Sequence, residues 1–223
     1  MVVTIKDREA MGDRTWVEMR TMDTNNGERQ VIDWNALIPV IYQGNVDKGF
    51  WEAKNGVVRS LAECKTLMHS EVSEACEWYR ETDREPGYEF VPHRLDPHVN
   101  SDFPEYMIQH APPEVWQTWK PTGIPSELAD VCIRVCDAMG HWGWKYRKCS
   151  PCGDPYIWDD GFLGDLSQIH SLISGVGEDG DWCSFVLTAT ESIAAHYDID
   201  LAAAIEAKMS YNATRAYKHG KRA

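Results

Sequence analysis

The stretch Leu67-Met68-His69-Ser70-Glu71-Val72-Ser73-Glu74-Ala75-Cys76 decides the fold that we expect for this chain. It lies in a segment, from about 57 to 84, whose apolar residues recur every three or four positions, which is typical of a helix with one buried face. Glu71 and Glu74 are three residues apart, so both carboxylates leave one face of that helix. Carboxylates held close together at the edge of a core repel each other, and this favours a cation between them.

A second pair of acids follows on another amphipathic segment. Glu127 and Asp130 have the same spacing and also lie beside an apolar stripe, in a helix expected from about 126 to 141. Packed face to face, the two helices would bring four carboxylates around one or two metal ions. Oxygen ligands suit a hard ion, so Mg²⁺ is the expected cofactor and Mn²⁺ the alternative. The pattern predicts a Mg²⁺-dependent site for a phosphate-bearing substrate.

Composition limits the class of protein. The chain has 223 residues, a hydrophobic fraction of 43% and a formal charge of −13, which suits one domain with a core and disfavours binding to polymeric nucleic acid. No apolar run is long enough for a signal peptide or a membrane span, so we expect no membrane partner. Seven cysteines, an odd number with several on apolar helix faces, favour reduced thiols and a cytoplasmic location.

No segment shows the alternating pattern of a strand, and the fold is predicted to be all-α. Residues 1–30 are expected to form an irregular arm, and 31–223 one helical domain. Long irregular insertions are expected near 85–125, which holds eight of the eleven prolines, and near 143–161. The first helix is expected to follow Asp33 and to end near Asp47.

Two halves of the helical region are similar to each other. The stretch 68–74 aligns with 169–175, and 126–130 aligns with 184–188, but the second copies lack the acids. This predicts a four-helix bundle with a degenerate internal repeat, in which one half keeps the metal site and the other only packs. Coincidence between two apolar helices is the alternative.

Four segments together resemble the MazG-like all-α nucleoside triphosphate pyrophosphohydrolases. The segments are Lys48-Gly49-Phe50-Trp51, His69 to Ala75, Gly123 to Val131, and Ile199 to Arg222. The resemblance implies a four-helix, metal-dependent fold that cleaves a nucleoside triphosphate between its α and β phosphates, releasing a monophosphate and pyrophosphate. It also implies a homo-oligomer, in the simplest case a dimer.

The resemblance assigns roles residue by residue. The family's E-x-x-E and E-x-x-D signature falls on Glu71, Glu74, Glu127 and Asp130 as catalytic and metal-binding residues. Its basic C-terminal motif falls on Lys208, Asn212 and Arg215 as substrate-binding residues. The segment between the acidic pairs is longer than in compact members, which leaves the preferred base open.

Two further residues are weaker candidates for substrate binding. Lys48 and Trp51 would contact phosphate or base, and packing in the core is the alternative for the aromatic ring. Cys149 and Cys152 form a single C-x-x-C. A structural Zn²⁺ needs four ligands, and the two cysteines alone do not supply them, so none is expected.

Two other functions compete with the pyrophosphohydrolase. A di-iron carboxylate bundle usually needs Glu-x-x-His, and none of the eight histidines has a glutamate three residues before it. A non-catalytic helical module that binds nucleotides or proteins, with the acids as solvated edges, remains as the alternative.

Overall fold

The computed structural model describes residues 31–53, 58–81, 91–93, 120–148, 161–175, 177, 180–215 and 217. The prediction of an all-α fold is confirmed, because the described residues are predominantly helical. In chain order the elements are α1 Trp34–Asp47, α2 Leu61–Glu81, β1 Val91–His93, β2 Lys120–Thr122, α3 Ile124–Trp142, α4 Gly161–Ile173, α5 Asp181–His196 and α6 Leu201–Thr214. None of these helices is both long and apolar enough to cross a membrane.

Side-chain caps set the start of three helices. Asp33 and Asp200 accept hydrogen bonds from the backbone N–H groups of Ala36 and Ala203, at 3.1 and 2.9 Å, and so begin α1 and α6. At α2, the Ser60 backbone N–H donates to Glu63 Oε2 at 2.7 Å, and the Glu63 N–H donates to Ser60 Oγ at 3.2 Å. This capping box explains why α2 begins later than the expected position 57.

Four helices form a closed ring of neighbours. α2 packs on α3, α3 on α5, α5 on α4, and α4 on α2, while α1 and α6 both pack on the outside of α3. α3 therefore lies between two layers of helices, and fourteen of its nineteen residues are buried. Any polar side chain on α3 must find its partners within the protein.

Contacts between α2 and α4, and between α3 and α5, support the expected internal repeat. His69 and His170, which the alignment makes equivalent, stack with ring centroids 5.0 Å apart and Nδ1 atoms 2.7 Å apart. Cys132 and Thr190, also equivalent, share a hydrogen bond. Pairs of aligned positions that are buried in both copies include 64 and 165, 68 and 169, 72 and 173, 124 and 182, 126 and 184, 128 and 186, 129 and 187, 131 and 189, 132 and 190, 135 and 193, and 136 and 194. Contact between equivalent positions is what an approximate two-fold relation between the halves produces.

The expectation of no strands is wrong at one place. β1 and β2 pair antiparallel, with Val91 opposite Thr122 and His93 opposite Lys120. Their central residues, Pro92 and Pro121, are paired with each other and have no N–H to donate. Proline is rare inside β-strands, so neither sequence looks like a strand. The pair joins part of the expected insertion 85–125 to the start of α3, which begins at Ile124 rather than near 126.

The other predicted irregular segments are described only in part. The expected arm 1–30 lies outside the described residues, as do 82–90, 94–119 and 149–160. Residues 144–148 of the second expected insertion are described and are not helical.

Candidate metal centre

Three of the four predicted acids converge between α2 and α3. One carboxylate oxygen from each of Glu71, Glu74 and Glu127 lies within 4.8 Å of the others. The two helices bring them together because each presents its acids at the edge of the stripe it buries against the other. Three closely spaced carboxylates, with oxygen as the only donor type, fit a hard divalent ion such as Mg²⁺.

Glu127 is the most deeply buried of these acids. It is only 2% exposed, and among the described residues the cation that pairs with it is Lys208, whose Nζ lies 4.0 Å from Oε2. Burial is the largest cause that raises the pKa of Glu127; Lys208 opposes it, Asp130, Glu74 and Glu71 add to it, and together these effects bring the pKa to about 7. A buried carboxylate that accepts no hydrogen bond from the described residues is costly, and an added cation would remove that cost.

Glu71 is held by a cation that the sequence reading did not assign. Arg134, on α3, donates from Nε to Glu71 Oε1 at 2.9 Å. Burial raises the pKa of Glu71, and the Arg134 guanidinium opposes that rise. The signal for Arg134 was present in the sequence, because it follows Asp130 by four residues and therefore lies on the same helix face.

Asp130 lies beside the three converging acids but is engaged elsewhere. Its Oδ2 accepts a hydrogen bond from Lys208 Nζ at 2.5 Å. Lys208 comes from α6 and is 2% exposed, so this ion pair lies largely inside the protein. The predicted fourth ligand and the predicted phosphate-binding lysine are thus joined to each other.

The remaining predicted substrate-binding residues of the C-terminal motif lie farther along the chain. Arg215 follows Lys208 by seven residues, about 10 Å along a helix axis, and its guanidinium carbon lies 5.5 Å from the Tyr211 ring centroid. Lys48 donates from Nζ to the main-chain carbonyls of Ala213, at 2.8 Å, and Arg215. Asn212 is half-buried on α6, and its main-chain carbonyl accepts from the Arg215 N–H. These residues tie the end of α6 to the end of α1.

Trp51 packs against α3. Its indole N–H donates to Asp137 Oδ1 at 2.7 Å, and its ring stacks on His141 with centroids 3.7 Å apart. Trp51 is 9% exposed. The Trp51 ring is therefore packed in the core, which was the alternative to a role in base binding.

A fully buried hydroxyl lies at the start of α3. Ser126 is 0% exposed, and its Oγ has no hydrogen-bond partner among the described residues. Ser126 precedes Glu127 directly and Asp130 by one turn, so it shares the helix face of Asp130. The sequence reading assigned it no role.

The cysteines divide into the candidate zinc pair and five others. Cys149 and Cys152, the candidate zinc pair, lie outside the described residues. The five cysteines that the structure describes form no disulfide with one another, and burial raises the pKa of Cys64 to about 11. A buried thiol with such a pKa stays protonated at neutral pH.

No protein-family model, curated protein or solved structure matches this chain. The similarity to the MazG-like enzymes therefore rests on the sequence segments and stays a prediction.

Proposed function

We propose that this protein is a Mg²⁺-dependent nucleoside triphosphate pyrophosphohydrolase, which converts a (d)NTP into a (d)NMP and pyrophosphate. The observation that carries the proposal is the convergence of Glu71, Glu74 and Glu127 between two helices. The reaction class comes from the resemblance to MazG-like enzymes, whose acidic signature falls on these residues.

The three acids have different surroundings, which suggests different roles. Glu127 is buried and Glu71 is oriented by Arg134, so these two are suited to hold an ion in a fixed position. Glu74 is half-buried, and among the described residues its hydrogen bond is a long one, 3.4 Å from Ser70 Oγ. Glu74 is thus the acid best placed to accept a proton from an attacking water. A divalent ion at the site supplies Lewis-acid chemistry, which neutralises phosphate charge and acidifies water.

Arg134 is the cation best placed to meet the phosphates. Its guanidinium carries N–H groups beyond the one given to Glu71, and a third of the side chain is exposed. A guanidinium can hold phosphate oxygens through two parallel hydrogen bonds. Lys208, by contrast, is buried against Asp130. We therefore add Arg134 to the substrate-binding residues.

The test measures pyrophosphate release from a panel of canonical and modified NTPs and dNTPs, with Mg²⁺ and with EDTA. Glu74→Gln is the informative variant because Glu74 is the least buried of the three acids. Glu77→Gln is the matched control, since it is an exposed acid one turn later on the same helix. We expect Mg²⁺-dependent formation of a monophosphate, lowered by about 100-fold or more in Glu74→Gln, since even outer partners of a metal site cost roughly 10- to 100-fold.

Three results would contradict the proposal. Release of inorganic phosphate would mean that a different bond is cleaved. Equal turnover in Glu74→Gln and Glu77→Gln would remove the acid cluster from the mechanism. Absence of turnover on every nucleotide, with nucleotide binding that is indifferent to Mg²⁺, would favour the non-catalytic helical module.

A further inference from the structure

Lys208 places its ammonium group inside the acid cluster. It is 2% exposed, and its ammonium lies 2.5 Å from Asp130 Oδ2 and 4.0 Å from Glu127 Oε2. A lysine removed from water keeps its charge only when close acids compensate the lost hydration. Lys208 is therefore positioned between two acids that the metal signature would assign to an ion.

The formal charges of the cluster leave room for one divalent ion. Four carboxylates, those of Glu71, Glu74, Glu127 and Asp130, face two cations, Arg134 and Lys208. The cluster therefore has a formal charge of −2. One Mg²⁺ would cancel it, whereas a second would leave an excess of positive charge in a largely buried site.

The geometry separates Asp130 from the other three acids. One oxygen from each of Glu71, Glu74 and Glu127 lies within 4.8 Å of the other two, and Asp130 is outside this group, with its Oδ2 accepting a hydrogen bond from Lys208. Ser126 independently indicates that a bound group belongs at this end of α3. Its hydroxyl is fully buried and has no partner among the described residues, one turn before Asp130 on the same face.

We propose that the nucleotide-free protein binds one divalent cation per chain through Glu71, Glu74 and Glu127, and that Lys208 occupies the position beside Asp130 that a second ion would take. This inference rests on the metal site of the proposed function. Asp130 then acts as a positioning residue for Lys208 and not as a ligand of the first ion. Any further ion would have to arrive with the nucleotide, whose phosphates bring their own negative charge.

The test counts Mn²⁺ bound per chain by the full-length, metal-free protein without nucleotide, from the free Mn²⁺ signal in electron paramagnetic resonance. We expect one ion in the wild type and one in Lys208→Arg, which keeps the charge. Lys208→Met should bind two, because removing the ammonium opens the position between Asp130 and Glu127. Asp130→Asn should still bind one ion, whereas Glu74→Gln should weaken that ion by tenfold or more.

The outcomes separate this inference from the proposed function. Two ions on the wild type, or one on a folded Lys208→Met, would overturn the inference and leave the reaction intact. No ion on the wild type would overturn the inference, and the proposed function would then be decided by turnover with Mg²⁺ and with EDTA. Circular dichroism checks that each variant is folded. If Lys208→Met does not fold, the number of Mn²⁺ ions bound by the wild type and by Asp130→Asn still tests the inference.

Discussion

The acid-bearing half of the ring, α2 and α3, and the apolar half, α4 and α5, bury matching positions but treat their polar positions differently. Glu127 is 2% exposed, whereas the aligned Phe185 is 38% exposed. The usual preference is reversed here, since the acid is inside and the aromatic ring is partly outside. The two halves differ in what covers them: α1 and α6 pack mainly on α3, so they cover the acid-bearing half. The outer layer thus covers, on α3, a buried acid that accepts no hydrogen bond from the described residues, whereas Asp165, buried on α4, accepts one from the Tyr197 hydroxyl.

The covering helix α6 also supplies one of the two cations that compensate the acids, Lys208. The other cation, Arg134, lies on α3 itself. In the apolar half, Thr188 aligns with Asp130; its hydroxyl donates to the Ser184 carbonyl at 2.8 Å and lies 3.1 Å from the Tyr146 hydroxyl. The comparison teaches that the apolar half meets its polar groups with neutral hydroxyl partners, as it does at Asp165 with Tyr197, while the covered half uses cations.

The largest effect should come from the shared core, where the two halves ought to behave alike. Met68 and Ile169 are aligned, and both are 0% exposed. Met68→Ala and Ile169→Ala should each lower the free energy of unfolding by about 3 kcal/mol, through lost transfer energy and a cavity. Urea denaturation measures both. A cost in one half several times that in the other would break the equivalence of the halves.

Binding of Mg²⁺ should distinguish the halves next. At a concentration of 100 times Kd, one bound ion adds about 2.7 kcal/mol to the free energy of unfolding. Thermal denaturation should show this stabilisation in full in the wild type and in Glu77→Gln, and reduced to about 1.4 kcal/mol or less in Glu74→Gln, if its affinity falls tenfold or more. The same gain in all three proteins would place the ion outside the acid-bearing half.

Acidity should act mainly through Glu127, which accepts no hydrogen bond from the described residues, since Asp165, the acid buried in the other half, accepts one from the Tyr197 hydroxyl at 2.8 Å. Burial raises the pKa of Glu127 from its ordinary value of 4.5 to about 7. Between these values the metal-free folded protein holds a proton that the unfolded chain has lost, so its stability falls as the pH rises and levels off above about 7. Each pH unit is worth about 1.4 kcal/mol, so we expect a loss of about 2 kcal/mol between roughly pH 5.5 and 7.

The control for this pH dependence is Glu127→Gln, which removes the titrating group and leaves the histidines in place. The slope of unfolding free energy against pH should be shallower in the variant, as measured by urea titrations at several pH values with EDTA present. Parallel slopes in the two proteins would show that Glu127 titrates normally in the folded state.

The smallest effect concerns the covering helices. Asp200→Ala removes the cap of α6, and Asp33→Ala removes that of α1. Each should cost about 1 kcal/mol of unfolding free energy, because a backbone N–H loses its partner. Denaturation of the two variants measures this. If neither variant is destabilised, the covering layer is held by packing alone.

Helix positions were largely predictable because hydrophobic spacing and caps are local. The first helix was expected between Asp33 and Asp47, and α1 runs from Trp34 to Asp47. The errors arose where a local signal was overlooked or weak. The Ser60–Glu63 capping box was missed, and the strand pair has prolines at its centre, which hides any alternating pattern.

The sequence alone determined which residues share a face. A three-residue spacing on a helix was enough to pair Glu71 with Glu74 and Glu127 with Asp130, and the apolar stripes indicated which faces would be buried. Only the tertiary structure decided which of these acids meet. Lys208 lies 78 residues from Asp130 and Arg134 lies 63 residues from Glu71. Such partners are set by how helices pack, and no local periodicity encodes that packing.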